Sequence, residues 1–425
     1  MQNYTEFYKD LKNLISFNTE KHESICDAPF GLENKNALLY FLSIAEKMGF
    51  QTINYDNYAG EIIFGEGENE FGIIGHLDIV PAGTNWETDP FTLTQKGGIL
   101  YGRGIIDDKM PTLLCLYALK ELKDNGIKPK VKFRLFVGCN EESGWKDIEY
   151  LKDKTTFPEY GFSPDGIFPL SYAEKGVYEI SFLLPELKNF FDLEGGTATN
   201  AVCALATVKT KQKVDGLLLN KYNLTERDGT IISTGVSAHG SAPHLGKNAF
   251  LPLLSFMRDS GENLDGFISA LFDDYYKIFS LTNEQGGVTL SPNIIRKING
   301  KVYLSADVRI PAPFTLETVL PVINQFNIEY IVKESHPPVV VEKDGAFVSA
   351  LLSAYTSVTG EMDAKPKSMA GSTFARAFSK GCSFGPEFPN KDYRIHNSNE
   401  QVSVKELKKM YEIYKTALLN LSKLC

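Results

Sequence analysis

Apolar residues recur at helical spacing along NALLYFLSIAEKMG (36–49), and the stripe closes on Gly49. That pattern predicts an amphipathic helix ended by a glycine cap. The same period governs MQNYTEFYKDLKNLISF at the start of the chain, MPTLLCLYALKELKDNG (110–126), a segment near 247–258, FTLETVLPVINQF, 346–359, and a closing helix at 402–423. Pro111 sits in the first turn of the 110–126 helix, where a missing N–H costs nothing, and Gly126 closes it. Between these stretches lie short runs of β-branched and aromatic residues: EIIFGEG, FGIIGH and KVKFRLFVGCN early on, then VYEISFLL (177–184), 203–210, TIISTG, KVYLSADVRIP and NIEYIVKES. Strands alternating with helices predict an α/β layer, with a mostly parallel mixed sheet flanked by helices. The character changes near residue 173 and reverts near Pro337. The expected organisation is therefore a first domain over 1–172 and 337–425, interrupted by an inserted α+β domain of ferredoxin-like type over 173–336.

A chain of 425 residues has ample interior for such a core. Its net charge of -9 disfavours nucleic acid and anionic membrane surfaces as partners. No apolar run is long enough to span a bilayer, and the first residues lack a basic region followed by an apolar one, so no signal peptide is expected. Cys26, Cys115, Cys139, Cys203, Cys382 and Cys425 are scattered without a CxxC pair. Reduced thiols in a cytoplasmic protein are the expectation, and none is placed as a metal ligand.

Chemistry-bearing residues cluster at the ends of strand-like runs. His76 and Asp78 stand two apart in IIGHLDIVPAG, so both can point to one side. Asp107 and Asp108 precede a helix in GRGIIDDKM. Glu141 and Glu142 follow a hydrophobic strand in FVGCNEESG. Asp165 lies in GFSPDG, and His396 lies far off in DYRIHNSNE. Taken singly, each has a plain structural reading: a surface loop, a helix cap, a solvated turn, a tight turn, a satisfied histidine. Taken together, two histidines and three carboxylates make an imidazole–carboxylate ligand set suited to Zn or Mn. Two metals roughly 3.5–4 Å apart need an anionic bridge, which one aspartate can supply, and a further carboxylate can act as base. The Glu141–Glu142 doublet offers one residue for each task.

The chain as a whole resembles the co-catalytic two-metal aminoacylase/dipeptidase metallopeptidases, closest to the peptidase V type, the carnosinase-like Xaa-His dipeptidases of bacteria. The resemblance is carried by SFNTE, NYAGEIIFG, GHLDIVPAG, LYGRG, DDK, NEESG, SPDG, GGTATN, SAHGSAP, DVRIP, AGSTFAR and FPNKDYRIHNSNE, in that order. It implies that His76, Asp107 and Asp165 hold one metal and that Asp107, Glu142 and His396 hold the other, with Asp107 bridging. It implies that Asp78 orients His76, that Glu141 is the general base, and that the Asp107–Asp108 peptide is cis. From the insert, His239 would stabilise the oxyanion, and Asn200 and Arg309 would bind substrate, with Gly371 and Ser372 presenting backbone near the substrate carboxylate. Met110 stands where the family usually has glycine, and AGST stands where the dipeptidases favour GGT.

The expected function is hydrolysis of short unblocked peptides with two divalent metals, Zn first and Mn second, by a cytoplasmic monomer whose insert acts as a lid. An N-acyl amino acid deacylase of the same family would share every ligand, but simple deacylases usually carry a shorter insert. A non-catalytic binding protein on this scaffold would be expected to have lost the base or a ligand, and all are present.

Overall fold

The computed structural model describes residues 4–424. Met1–Asn3, at the start of the expected first helix, and Cys425 lie outside them. The chain divides into two compact units, one of Met1–Ala173, Val339–Lys367 and Thr373–Cys425, the other of Glu174–Pro338 and Ser368–Ser372. The short segment Ser368–Ser372, placed in the first domain by the sequence, groups with the second unit for a local reason. Its Met369 carbonyl accepts the Lys175 backbone N–H at 3.1 Å, and its Ala370 carbonyl accepts from Arg309 Nη1 at 3.2 Å.

The sheet of the first unit runs in the order Gln51–Tyr55, Ala59–Phe64, Lys132–Gly138, Glu70–His76, Tyr160–Ser163, Lys380–Ser383, Ser171–Glu174, Val339–Val340. Its four central strands, Lys132–Gly138 to Lys380–Ser383, pair in parallel, with antiparallel strands outside them. Every residue of Glu70–His76 after Glu70 is buried, the pattern of a central strand covered on both faces. The helix Lys109–Asp124 is buried around most of its circumference and packs against Val404–Leu421. Val404–Leu421 opens with a capping box: the Ser403 hydroxyl accepts the Glu406 N–H at 3.1 Å, and the Glu406 carboxylate accepts the Ser403 N–H at 3.3 Å. The expected helix at 36–49 spans Leu32–Lys47, and Gly49, with φ 77°, sits just past its end.

The second unit contains a sheet ordered Thr289–Ile298, Lys301–Ile310, Gly176–Leu183, Tyr330–His336, all antiparallel. In chain order that is 2-3-1-4, with Phe250–Asp259 and Asp265–Leu271 in the first crossover and Leu316–Asn324 in the second. This is the ferredoxin-like βαββαβ arrangement expected of the insert. Asn299 and Gly300, at φ 50° and 78°, make the tight turn between its two long strands. A second antiparallel sheet, Phe190–Gly195, Leu205–Thr210, Thr230–Thr234 and Thr225–Arg227, is spliced into the first crossover.

The structure adds the short helices Lys146–Lys154, Gly216–Tyr222 and Asp265–Leu271, which the hydrophobic pattern does not mark. Each is too short to display a clear 3.6-residue period. Cys26, Cys115, Cys139, Cys203 and Cys382 are free thiols. Among the described residues no helix is long and apolar enough to cross a membrane.

Candidate active site

Parallel strands open their carboxyl ends on one side of a sheet, and the first unit uses that side. His76 is the last residue of Glu70–His76, Glu141 and Glu142 lie just past Lys132–Gly138, and Asp165 lies just past Tyr160–Ser163. The glycines before two of these turns are there for room. A Cβ on Gly75 would sit 2.5 Å from Asp108 Oδ2, and one on Gly138 would sit 2.5 Å from Asp147 Oδ2.

Asp107 stands at the centre and is joined to Asp108 by a cis peptide bond. Its Oδ1 lies 3.0 Å from His76 Nε2, and its Oδ2 lies 2.8 Å from His396 Nε2. Asp165 Oδ2 is 3.8 Å from His76 Nε2, and Glu142 Oε1 is 3.1 Å from His396 Nε2. One ligand atom from each of His76, Asp107 and Asp165 falls within 4.8 Å of the others, as does one from each of Asp107, Glu142 and His396. The two groups share Asp107.

The electrostatics of this cluster call for added positive charge. Burial, reinforced by the Asp107 charge, pushes the Asp165 carboxyl well above its usual range. Burial does the same to Glu141 and raises Glu142 to about 7. Burial also opposes the charge on Asp107, yet the His396 and His76 imidazoles close against its two oxygens outweigh it and hold Asp107 low. The imidazoles shift upward in return: burial opposes their charge, but Asp107 and its neighbours raise His76 well above 6.5 and His396 to about 11. His76 Nε2 is sealed from solvent and, among the described residues, makes no well-aligned hydrogen bond, although Asp107 Oδ1 is close. Converging carboxylates and an imidazole nitrogen without a proper donor or acceptor fit divalent cations.

The contacts of Asp78 reach beyond His76. The His76 Nδ1 lies 3.0 Å from the Asp78 backbone carbonyl, closer than the 3.4 Å to its carboxylate. The carboxylate instead accepts the backbone N–H groups of Glu141 and Glu142, each at 3.0 Å. Asp147 accepts the two preceding amides, Cys139 at 2.7 Å and Asn140 at 2.8 Å. Four consecutive N–H groups are thus held by two buried carboxylates, which fixes the backbone of the turn that carries Glu141 and Glu142. A third carboxylate, Glu400, accepts the N–H groups of Gly104, Ile106 and Asp107 and pairs with Arg103. Sequence reading missed Asp147 and Glu400 as parts of the site. Only the position of Glu400 at the end of HNSNE hinted at a role.

The remaining candidates lie in the second unit. Asn200 and His239 are neighbours: Ala201 bridges His239, and the Asn200 carbonyl accepts the Gly240 N–H at 2.7 Å. The His239 Nδ1 is 2.7 Å from the Ser241 hydroxyl. Arg309 is nearly buried and already forked onto Asp307, with Nη2 2.7 Å from Asp307 Oδ2, while its Nη1 reaches Ala370 beside Gly371 and Ser372. Among the described residues the Ser372 hydroxyl, which is buried, has no hydrogen-bond partner.

The chain is similar to the Beta-Ala-Xaa dipeptidase of Lactobacillus delbrueckii subsp. lactis, with 31% identity over 450 residues that cover 98% of this chain and 96% of that protein. Its fold matches human carnosine dipeptidase 1, with a TM-score of 0.60 at 16% identity, over 99% of this chain and 97% of that one. It also matches the di-peptidase Dug1p of Saccharomyces cerevisiae, with a TM-score of 0.61 at 14% identity, over 99% and 96%. At such identities the two structures speak for the fold alone. The sequence pattern of Peptidase family M20/M25/M40 matches residues 72–420, a span that takes in every residue of the Asp107-centred cluster, and the chain belongs to that family.

Proposed function

We infer that this chain is a metal-dependent dipeptidase that hydrolyses the peptide bond of short, unblocked peptides. The observation that carries the reading is the pair of ligand groups sharing Asp107, with Glu141 outside both but close enough to feel the charges of His76, Asp165, Glu142 and Asp107. His76, Asp107 and Asp165 would hold one divalent cation, and Asp107, Glu142 and His396 the other. Zn is the first choice and Mn the second for this ligand set. When bound, such a pair supplies Lewis acidity toward the scissile carbonyl and makes a water easier to deprotonate at neutral pH.

The protein's own groups then carry the proton. Glu141 takes it from the attacking water, holds it on its carboxylate, and passes it to the leaving amine nitrogen. Burial suits Glu141 to this, since a carboxyl pushed upward retains a proton that an exposed one would release. Asp78 and Asp147 keep the Glu141 backbone from rotating away. In the second unit, His239 is the proposed oxyanion donor, and Asn200, Arg309, Gly371 and Ser372 the proposed substrate-binding residues. The names of the similar proteins support dipeptides as the substrate class, and we place the enzyme in the cytoplasm as a monomer.

The test is a panel of free dipeptides, tripeptides and N-acyl amino acids, assayed on metal-stripped protein and after Zn or Mn is restored. The expected result is dipeptide hydrolysis that vanishes on stripping and returns with metal. Preferential cleavage of N-acyl amino acids would reassign the enzyme as a deacylase.

A further inference from the structure

We propose that the Glu387 carboxylate receives the free α-ammonium group of the substrate and makes the enzyme select unblocked peptides. The proposal rests on the dipeptidase reading above and names a residue that the ligand set does not include. Glu387 lies in FGPEFPN, between the strand Lys380–Ser383 and His396. Its backbone is stitched to the loop that carries Asp165: its N–H donates to the Gly166 carbonyl at 3.0 Å, and its carbonyl accepts the Phe168 N–H at 2.8 Å. The side chain is half-buried, and among the described residues its carboxylate makes neither a hydrogen bond nor an ion pair. The charges acting on it are those of the catalytic cluster. Burial pushes the carboxyl up to about 7, the Asp107 charge adds to the rise, and the His396 charge opposes it.

A carboxylate withdrawn from water without a partner is costly, and a cation that arrives with a ligand recovers the cost. Both ligand groups for the metals are complete without Glu387. The other cation that must come to this place is on the substrate. Covalent geometry puts the α-nitrogen of a dipeptide about 2.5 Å from the scissile carbonyl carbon, so an amide held at Asp107 brings its ammonium to the rim of the same cluster. A blocked amine would bring no charge to Glu387 and would leave the half-buried carboxylate as it was.

The experiment uses the full chain loaded with metal. Wild type and the isosteric E387Q are compared on a free dipeptide and on its des-amino analogue, with metal content measured on each sample. E387Q is expected to raise KM for the free dipeptide by about tenfold or more, the scale of one charge-assisted contact, and to leave kcat little changed. The des-amino analogue should be cleaved equally by both proteins, and both should keep two metals per chain. Equal losses on the two substrates, no loss on either, or a fall in metal content would overturn the proposal. A second measurement decides it independently of turnover: calorimetric binding of alaninamide, a free-amine probe. Weaker binding to E387Q supports the ammonium site and equal binding rejects it. Wild-type enzyme that cleaves no dipeptide would reject the parent reading, and the alaninamide result would still judge Glu387.

Discussion

Stripping the metals should make the stability of this protein fall as pH rises through neutrality. In the unfolded chain Glu142 ionises near its ordinary value of 4.5, whereas in the folded, metal-free protein its carboxyl is raised to about 7 by burial and the Asp107 charge. A raised folded-state pKa contributes stability below the unfolded value and loses it as pH climbs to the folded one. The window is therefore pH 4.5 to about 7, and the loss is about 3 kcal/mol for Glu142. Asp165 and Glu141 move in the same direction. The raised imidazoles act likewise, since their contribution is complete below 6.5 and declines above it. Asp107, whose carboxyl is held low, acts oppositely, but only in acid below 3.8. Metal binding requires deprotonated ligands, so the stabilisation from Zn or Mn should grow over the same window. The assay is thermal unfolding of chelator-treated and metal-loaded protein at about pH 5.5, 6.5 and 7.5, with an expected drop of about 2 °C or more in the stripped form across that range. A flat or rising Tm in stripped protein, or a metal increment that does not change with pH, would refute the argument.

Glu141→Gln should retain both metals by elemental analysis and lose kcat by ~10²-fold or more, the scale of a general base. Asp147→Asn removes the charged acceptor behind Cys139 and Asn140 and should weaken metal binding by roughly 10–100-fold in competition with a chromogenic chelator. Unchanged affinity would show that the amide clamp is dispensable. Arg309→Ala leaves Asp307 buried without its fork partner and should destabilise the protein by about 3–5 kcal/mol, part of which the double variant with Asp307→Ala recovers in thermal unfolding.

The parallel core was readable because each of its strands is a short apolar run ending on a chemically distinctive pair. IIGH, FVGC and GFS lead directly into His76, Glu141–Glu142 and Asp165, and burial on both faces made those runs nearly continuous. The long helices were readable for the opposite reason: 14 residues in Ala346–Thr359 and 18 in Val404–Leu421 are enough for the period to show. Lys146–Lys154 escaped because KDIEYLKDK buries only Asp147, Ile148 and Leu151, too few apolar positions to mark a face. The grouping of Ser368–Ser372 with the second unit escaped because it depends on two carbonyls, and carbonyls carry no sequence signal.

The candidate ligands and base were legible as residue types, but the means of holding them was not. Asp78, Asp147 and Glu400 act through backbone amides, which every residue but proline possesses, so nothing at the receiving end announces the contact. Glu400 lies nearly 300 positions from the Gly104–Asp107 amides it accepts. These contacts also bear on Arg309. The resemblance assigns Arg309 to substrate, yet Asp307 already satisfies two of its nitrogens. Arg309 therefore stays paired whether or not a substrate carboxylate reaches it. Discrimination by the terminal amine has no such internal substitute. Among the described residues nothing pairs with Glu387, so a peptide that lacks the ammonium forfeits an interaction that the protein cannot replace from within.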